Sequence, residues 1–164
     1  GTDCKDPRSE TAIERSRLMW PDVLYEPGEL RAVAYREGAI IGADTVRTAG
    51  PPRALRLTPE KTTLLADGTD LVYVLVEAYD RAGNPAPLAH HRVRLRVDGP
   101  ARIAGAGNGN PRSFEPFQDS DVDLFYGKAM VILRADAGAG RARLTATADG
   151  LDSGAATIQI RAAP

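Results

Sequence analysis

The sequence predicts an all-β fold, an immunoglobulin-like β-sandwich preceded by a partial β-sandwich segment. Apolar and polar residues alternate with a period of two in many short segments, and turn-forming pairs separate these segments every 8–12 residues or so. The 164 residues include 16 glycines and 12 prolines, which favours many turns. Because 43% of the residues are hydrophobic and only 5% aromatic, we expect a core of Val, Leu, Ile and Ala.

The clearest strand is predicted where Val93, Leu95 and Val97 alternate with arginines. Similar patterns, bounded by turn pairs such as Asp67-Gly68, predict further strands. The predicted strands cover residues 29–36, 39–48, 53–57, 62–65, 69–80, 91–97, 128–135, 141–148 and 156–161. Residues 11–18 lack an apolar stripe and are predicted to be a loop or a single turn.

The best predicted domain boundary is the Gly-Pro-Pro segment at residues 50–52, because prolines interrupt a hydrogen-bonded ladder. Residues 51–164 hold enough predicted strands for one complete immunoglobulin-like sandwich. Residues 1–50 hold only a few strands, too few to be stable alone. We therefore expect residues 1–50 to be the C-terminal strands of an incomplete immunoglobulin-like domain, and the chain to be an excerpt of a longer protein.

Two predicted strands, at residues 69–80 and 128–135, are apolar on both faces. A strand that is apolar on both faces is typically covered on both. We expect these strands to be neighbours whose outer face packs against another domain; the alternative is an ordinary scatter of apolar surface residues. The candidate interdomain interface consists of Leu71, Tyr73, Leu75, Met130 and Ile132.

No motif in the sequence predicts a catalytic residue, a metal site or a cofactor. The aspartates at 119, 121 and 123 resemble the start of a calcium loop, but Leu124 and Met130 occupy the positions that need Gly and Glu. His90 and His91 are adjacent, so they would point to opposite faces of a strand. The glycine-rich residues 105–111 lack the lysine of a phosphate loop, and their glycines are interpreted as supplying positive φ. A net charge of −1 and the lack of a long apolar run argue against a nucleic-acid or membrane partner.

Carbohydrate contact is a second candidate role, because sugar-binding proteins use exposed aromatic rings as stacking platforms. In the alternative interpretation, Trp20 and Tyr25 pack in the first sandwich, while Phe114 and Phe117 pin a long loop. The candidate carbohydrate contacts are Trp20, Asn108, Asn110 and Phe117.

Several segments together resemble the C-terminal region of bacterial β-galactosidases of glycoside hydrolase family 2. Residues 18–35 and 45–50 are similar to the end of the immunoglobulin-like domain that follows the catalytic barrel. Residues 65–74 and the run Asp80-Arg-Ala-Gly83-Asn84-Pro85 are similar to the family's last domain, which also resembles invasin-type modules. Residues 107–111, Phe117 and residues 125–129 resemble its long loop and returning strand. Gly109-Asn110-Pro111 stands where the family is expected to have Gly-Asp-Pro. The resemblance covers residues 18–161.

This resemblance implies a non-catalytic accessory region whose partner is the rest of the parent glycosidase. The parent would be a retaining β-galactosidase whose catalytic glutamates lie upstream, on the barrel. Its acid/base glutamate follows an asparagine, and no asparagine of this chain precedes a glutamate, so no catalytic residue is assigned. Alternatives are a carbohydrate-binding module and an adhesin-type immunoglobulin array. Arginine greatly outnumbers lysine, which suggests a GC-rich bacterial source; a periplasmic or secreted parent is typical, although the sequence does not fix the compartment.

Overall fold

The computed structural model describes residue 20 and residues 23–163, and these residues form strands and loops without helices. The chain divides into two compact units, Gly1–Arg47 and Thr48–Pro164. The strands are β1 (Glu29–Arg36), β2 (Ala39–Arg47), β3 (Pro52–Pro59), β4 (Thr63–Leu65), β5 (Leu71–Asp80), β6 (Arg92–Asp98), β7 (Ala101–Gly107), β8 (Asp121–Asp123), β9 (Lys128–Ala135), β10 (Gly140–Thr147) and β11 (Gly154–Arg161).

The described part of the first unit is dominated by the antiparallel hairpin β1–β2. Glu37 and Gly38 both have positive φ, 50° and 81°, as a two-residue type I′ turn requires. Opposed apolar pairs such as Leu30 with Val46 and Tyr35 with Ile40 are exposed. The described residues of this unit therefore form no buried core. An isolated two-stranded hairpin of this kind is only marginally stable in water.

The second unit is a β-sandwich of two sheets. One sheet has four strands in the order β3-β5-β9-β7, and the other has five in the order β4-β11-β10-β6-β8. Neighbouring strands are antiparallel except for β4 and β11, which run parallel. This arrangement confirms the all-β fold class predicted from the alternation pattern.

The core of the sandwich lies between the inward faces of the two sheets. Val74 on β5 and Val131 on β9 are fully buried, as are Leu144 and Ile158 on the opposing sheet. Among the described residues, every buried hydrophobic side chain is Val, Leu, Ile or Ala. The expected aliphatic core is therefore confirmed.

The structure forms two strands that the sequence pattern did not predict, β7 and β8. Strand β7 (Ala101–Gly107) is rich in Ala and Gly, which are poor strand formers, and a bulge at Ala104 breaks its alternation. The interpretation of its glycines was wrong in part: of the glycines in residues 105–111, only Gly109 has positive φ, at 72°. Strand β8 (Asp121–Asp123) contains two of the aspartates that resemble the start of a calcium loop.

The loop or single turn predicted at residues 11–18 lies outside the described residues. Within residues 20 and 23–163, no helix is long and apolar enough to cross a membrane.

Candidate interaction surfaces

The five predicted interface residues lie side by side on the outer face of the four-stranded sheet. Strand β5 pairs with β9 in a register that places Tyr73 opposite Ile132 and Leu75 opposite Met130. Leu71 continues the same face of β5. The exposed fractions of Tyr73 and Met130 are 44% and 38%. The prediction that these strands are neighbours is confirmed, while their packing against another domain stays a prediction.

Phe117 extends this apolar face beyond β9. Gly107 and Gly105 on β7 lie opposite Met130 and Ile132, so both glycines face outward with them. A Cβ added to Gly107 would lie 3.0 Å from Cε1 of Phe117, which shows that the ring covers this glycine. The ring is nevertheless 75% exposed, because only one side of it contacts the sheet. We call the six residues Leu71, Tyr73, Leu75, Phe117, Met130 and Ile132 the outer apolar surface.

A set of paired polar groups borders the outer apolar surface at one end. Arg56, Glu77 and Lys128 lie opposite one another across β3, β5 and β9. Lys128 Nζ lies 3.2 Å from Glu77 Oε1, and the Tyr79 hydroxyl donates to Glu77 Oε2 at 3.0 Å. The Arg56 guanidinium lies 3.8 Å from the centre of the Tyr79 ring. Burial raises the pKa of Tyr79, and the hydrogen bond to Glu77 acts in the same direction.

Both polar atoms of the Asn108 amide contact the long loop that joins β7 to β8. Its Nδ2 donates to Glu115 Oε2 at 3.2 Å and to the Asp123 carbonyl at 2.9 Å. Its Oδ1 accepts from the Asn110 backbone N–H at 3.0 Å, and Asn110 Oδ1 accepts from the Arg112 N–H at 3.0 Å. These bonds give Asn108 and Asn110 a role in shaping the loop.

A shallow cavity of about 80 Å³ lies beside this loop. That volume is far below the roughly 300–1,000 Å³ of an enclosing ligand pocket. Glu115 lines the cavity, and its carboxylate contacts the Arg92 guanidinium rather than standing alone. The cavity is lined by Gly107, Asn108, Asn110, Ser113, Glu115 and Phe117.

The aromatic candidates are more exposed than their packing interpretation predicted. Phe114 is 100% exposed, so it does not pin the loop, and Tyr25 is exposed as well. Trp20, the remaining candidate for carbohydrate contact, lies in the first unit and is 46% exposed. Of the four candidate carbohydrate contacts, Trp20 and Phe117 therefore have accessible rings. The side chains of Asn108 and Asn110 instead form hydrogen bonds that shape the loop.

The aspartates that suggested a calcium loop surround an arginine. Arg92 lies 3.4 Å from a carboxylate oxygen of Asp123, and 3.8 and 3.9 Å from those of Asp119 and Asp121. Arg92 also contacts Glu115, so it is the shared cationic partner of four carboxylates. In the described part of the chain, no group of three or more His, Cys, Asp or Glu side chains could hold a metal ion.

The two aspartate motifs that carried the family resemblance are turn structures. Asp67 Oδ1 accepts from the Thr69 and Asp70 N–H groups, both at 2.7 Å. Asp80 is buried, and its carboxylate accepts from the N–H groups of Gly50, Ala82 and Asn84 and from the Asn84 side-chain amide, at 2.8–3.0 Å. The Gly50 N–H and the Asn84 bonds lower the pKa of Asp80 to about 2.

Residues 55–157, most of the sandwich, match the family described as "Glycoside hydrolase family 2 C-terminal domain 5". The chain belongs to this family. Residues 4–42 match a domain of unknown function, DUF4982. These matches confirm the resemblance read from the sequence and identify the chain as a C-terminal, accessory part of family 2 glycosidases. They favour this interpretation over an adhesin-type array.

Relatives of this family 2 C-terminal domain are much longer than the chain. The β-galactosidase BoGH2A of Bacteroides ovatus is 43% identical over 139 residues, which are 85% of this chain and 16% of that protein. A β-glucuronidase of Formosa agariphila is 37% identical over 101 residues, 58% of this chain and 10% of that protein. The solved structure of a family 2 member from Bacteroides cellulosilyticus DSM 14838 matches with a TM-score of 0.83 and 34% identity, over 93% of this chain and 21% of that one. The chain therefore spans about a fifth or less of these proteins.

Proposed function

We propose that this chain is a bracing region of a retaining, β-galactosidase-like glycosidase whose catalytic residues lie in other parts of the polypeptide. The observation that supports the proposal is the family match over residues 55–157, within relatives that are more than four times longer. In this proposal the parent cleaves β-glycosidic bonds through a covalent glycosyl-enzyme formed by two carboxylates outside this chain. The partner of the chain is then the rest of its own polypeptide.

The domain assignment made from the sequence is part of this proposal. Residues 1–50 would be the last strands of one immunoglobulin-like domain, and residues 51–164 a complete immunoglobulin-like sandwich. The hairpin β1–β2 supports the first assignment, because Leu30, Tyr35 and Ile40 are exposed on a pair of strands that cannot bury them alone. Further strands of the same domain would cover these side chains.

We expect a pure preparation of the 164-residue chain to show no hydrolysis of a chromogenic β-galactoside above the buffer rate. A glycosidase needs two carboxylates flanking the scissile bond, one of them with a raised pKa. Hydrogen bonds lower the pKa values of Asp67, Asp70 and Asp80, the opposite of what a general acid needs, and Glu115 contacts Arg92. The measurement is release of nitrophenol, with the full-length gene product as the positive control. Turnover by the chain alone, or a full-length protein that cleaves no β-glycoside, would contradict the proposal.

A carbohydrate-binding role is the second candidate, and the exposed ring of Phe117 beside the cavity favours it. Under our proposal, titration of the chain with galactosides and plant or algal oligosaccharides is expected to give no saturable signal. Trp20→Ala and Phe117→Ala are the informative variants, with Tyr126→Ala as a matched exposed aromatic control. Saturable binding that Phe117→Ala or Trp20→Ala abolishes and Tyr126→Ala retains would establish the binding-module role instead.

A further inference from the structure

We propose that the outer apolar surface, with Phe117 as its anchor, is a dry interface against another domain of the same polypeptide. This inference rests on the proposed function, since it requires a longer parent protein. It adds to that proposal the face of the sandwich that docks and the aromatic residue that anchors it.

The two outer faces of the sandwich differ in the way this inference requires. On the five-stranded sheet, outward positions of β6 and β10 carry charged residues such as Arg94, Arg96 and Arg143, all exposed. Arg94 and Arg96 form ion pairs with Asp149 and Asp98. On the four-stranded sheet, the corresponding central positions of β5 and β9 are apolar. A contiguous apolar patch on one outer face, where the opposite outer face is charged, is typical of an interaction site.

The polar border of the outer apolar surface suits burial against a protein. Glu77 is already paired with Lys128 and Tyr79, and Arg56 stacks on the Tyr79 ring. Charged groups that keep their partners are less costly to cover than unpaired ones. Covering such a border therefore costs less than covering unpaired charges at the same positions.

Phe117 has the properties of an interface anchor. Its carbonyl accepts from the Ala106 N–H at 2.7 Å, and this bond fixes the loop to the edge of the four-stranded sheet. Its ring sits on Gly107, where any side chain would collide with it. An exposed aromatic ring held in place before binding loses little conformational entropy when it is buried.

The occupant that fits this surface best is a tethered domain. The relatives have about four-fifths of their length outside the matched region, so a large partner is available on the same polypeptide. The surface has six residues, whereas two separate proteins commonly contribute roughly 20–30 residues each to a stable interface. Because tethering supplies an effective concentration of about the millimolar range, a smaller surface suffices within one chain.

Hydroxyl-radical footprinting of the native protein tests this inference, with rates normalised to an added reporter peptide. We compare modification of Tyr73, Phe117 and Met130 in the full-length gene product and in the 164-residue chain. All three are expected to react at least roughly fivefold more slowly in the full-length protein, because an interface core excludes water. Phe114, which is fully exposed in this chain, is the comparison residue.

The outcomes separate the alternatives. Equal rates for Tyr73, Phe117 and Met130 in both proteins would overturn the inference, whatever the glycosidase activity of the full-length protein. If modification of these residues in the 164-residue chain slows as its concentration is raised, the surface binds a second copy instead. If modification slows when oligosaccharide is added to the chain, the surface binds carbohydrate instead. Loss of the proposed activity is measured separately, by nitrophenol release, so the two failures are distinguishable.

A matched pair of variants gives a second readout. Ile132→Glu places a charge at the centre of the outer apolar surface, and Thr157→Glu places the same charge on the exposed face of β11. In the full-length protein, Ile132→Glu is expected to restore Tyr73 modification to the rate of the chain alone, while Thr157→Glu leaves it slow. Each 164-residue variant is first shown to be folded by circular dichroism. Continued protection of Tyr73 in a folded Ile132→Glu protein would contradict the proposed interface.

Discussion

Replacement of Gly127 by alanine is expected to destabilise the sandwich by about 3–5 kcal/mol, a large share of the roughly 5–15 kcal/mol that stabilises a typical domain. Gly127 has a φ of 73°, and a Cβ at this position would lie 2.3 Å from the carbonyl oxygen of Ala86. Only a shift of the backbone can relieve this collision, because the carbonyl oxygen is a main-chain atom and the Cβ is bonded directly to the main chain. The same residue donates to the Ala89 carbonyl at 3.0 Å and accepts from the Ala78 N–H at 2.9 Å. The strain therefore reaches the end of β5, and urea denaturation of the 164-residue chain measures the loss.

Gly150→Ala is the matched control for Gly127→Ala. Gly150 has a φ of 78°, but nothing lies within 4 Å of its added Cβ. Only the left-handed conformation is then penalised, at about 1–2 kcal/mol. Equal losses in the two variants would show that the contact with Ala86 contributes nothing, and that the backbone around residue 127 gives way easily.

The turn that contains Gly127 also shows what the sequence could not predict. Phe125 pairs with Lys128, so Tyr126 and Gly127 form a two-residue turn, and both have positive φ. A type I′ turn is usually announced by Asn-Gly or Asp-Gly, and Tyr126 gives no such signal. Asp67-Gly68 signals a turn of another type, in which Gly68 but not Asp67 has positive φ, and the Asp67 carboxylate accepts from the following N–H groups as an aspartate turn predicts.

Strands with an intact alternation were predictable, and strands with a broken one were not. Strand β6 reads as valine and leucine alternating with arginine, and its buried and exposed residues follow that order. In β7 the bulge at Ala104 shifts the alternation of buried and exposed positions. The outward positions beyond it are Gly105 and Gly107, which have no side chain from which their orientation could be predicted. Glycine there makes room for Phe117, a contact ten residues away in sequence that periodicity cannot detect.

The candidate surfaces show the same limit. That β5 and β9 are neighbours followed from two strands with apolar residues on both faces, which is a local property of the sequence. The role of Asn108 depends on Glu115 and on the carbonyl of Asp123, partners brought together only by the folded loop. An asparagine that shapes a loop and one that contacts a sugar are identical in sequence, and only their hydrogen bonds distinguish them.

Asp80→Asn is expected to lower the Tm of the 164-residue chain by roughly 5–10 °C at neutral pH. Asn has the shape of Asp but presents one N–H₂ group in place of an acceptor oxygen. Asp80 Oδ2 accepts from Gly50 N and from Asn84 Nδ2, and Oδ1 accepts from the N–H groups of Ala82 and Asn84. Either orientation of the new amide therefore leaves donors of a buried turn without an acceptor. Asp152→Asn, at an exposed carboxylate paired with Arg53, is the control, and its Tm is expected to change by less than about 2 °C.

The pH dependence of the Tm difference between the natural protein and Asp80→Asn shows whether the ionised carboxylate causes it. The pKa of Asp80 is about 2 in the folded protein, against an ordinary value of 3.8. A carboxyl group whose pKa is lower in the folded state stabilises the fold while it is ionised, so its contribution is complete above about pH 4 and is lost between about pH 4 and pH 2. The Tm difference between the natural protein and Asp80→Asn is therefore expected to be constant from neutral pH to about pH 5 and to narrow below pH 4. The lowered pKa values of Asp67, Asp70 and Asp149 affect both proteins alike and cancel in the comparison. A Tm difference that stays constant down to pH 2 would contradict a stabilising role for the ionised Asp80 carboxylate. An effect of side-chain shape alone does not depend on protonation.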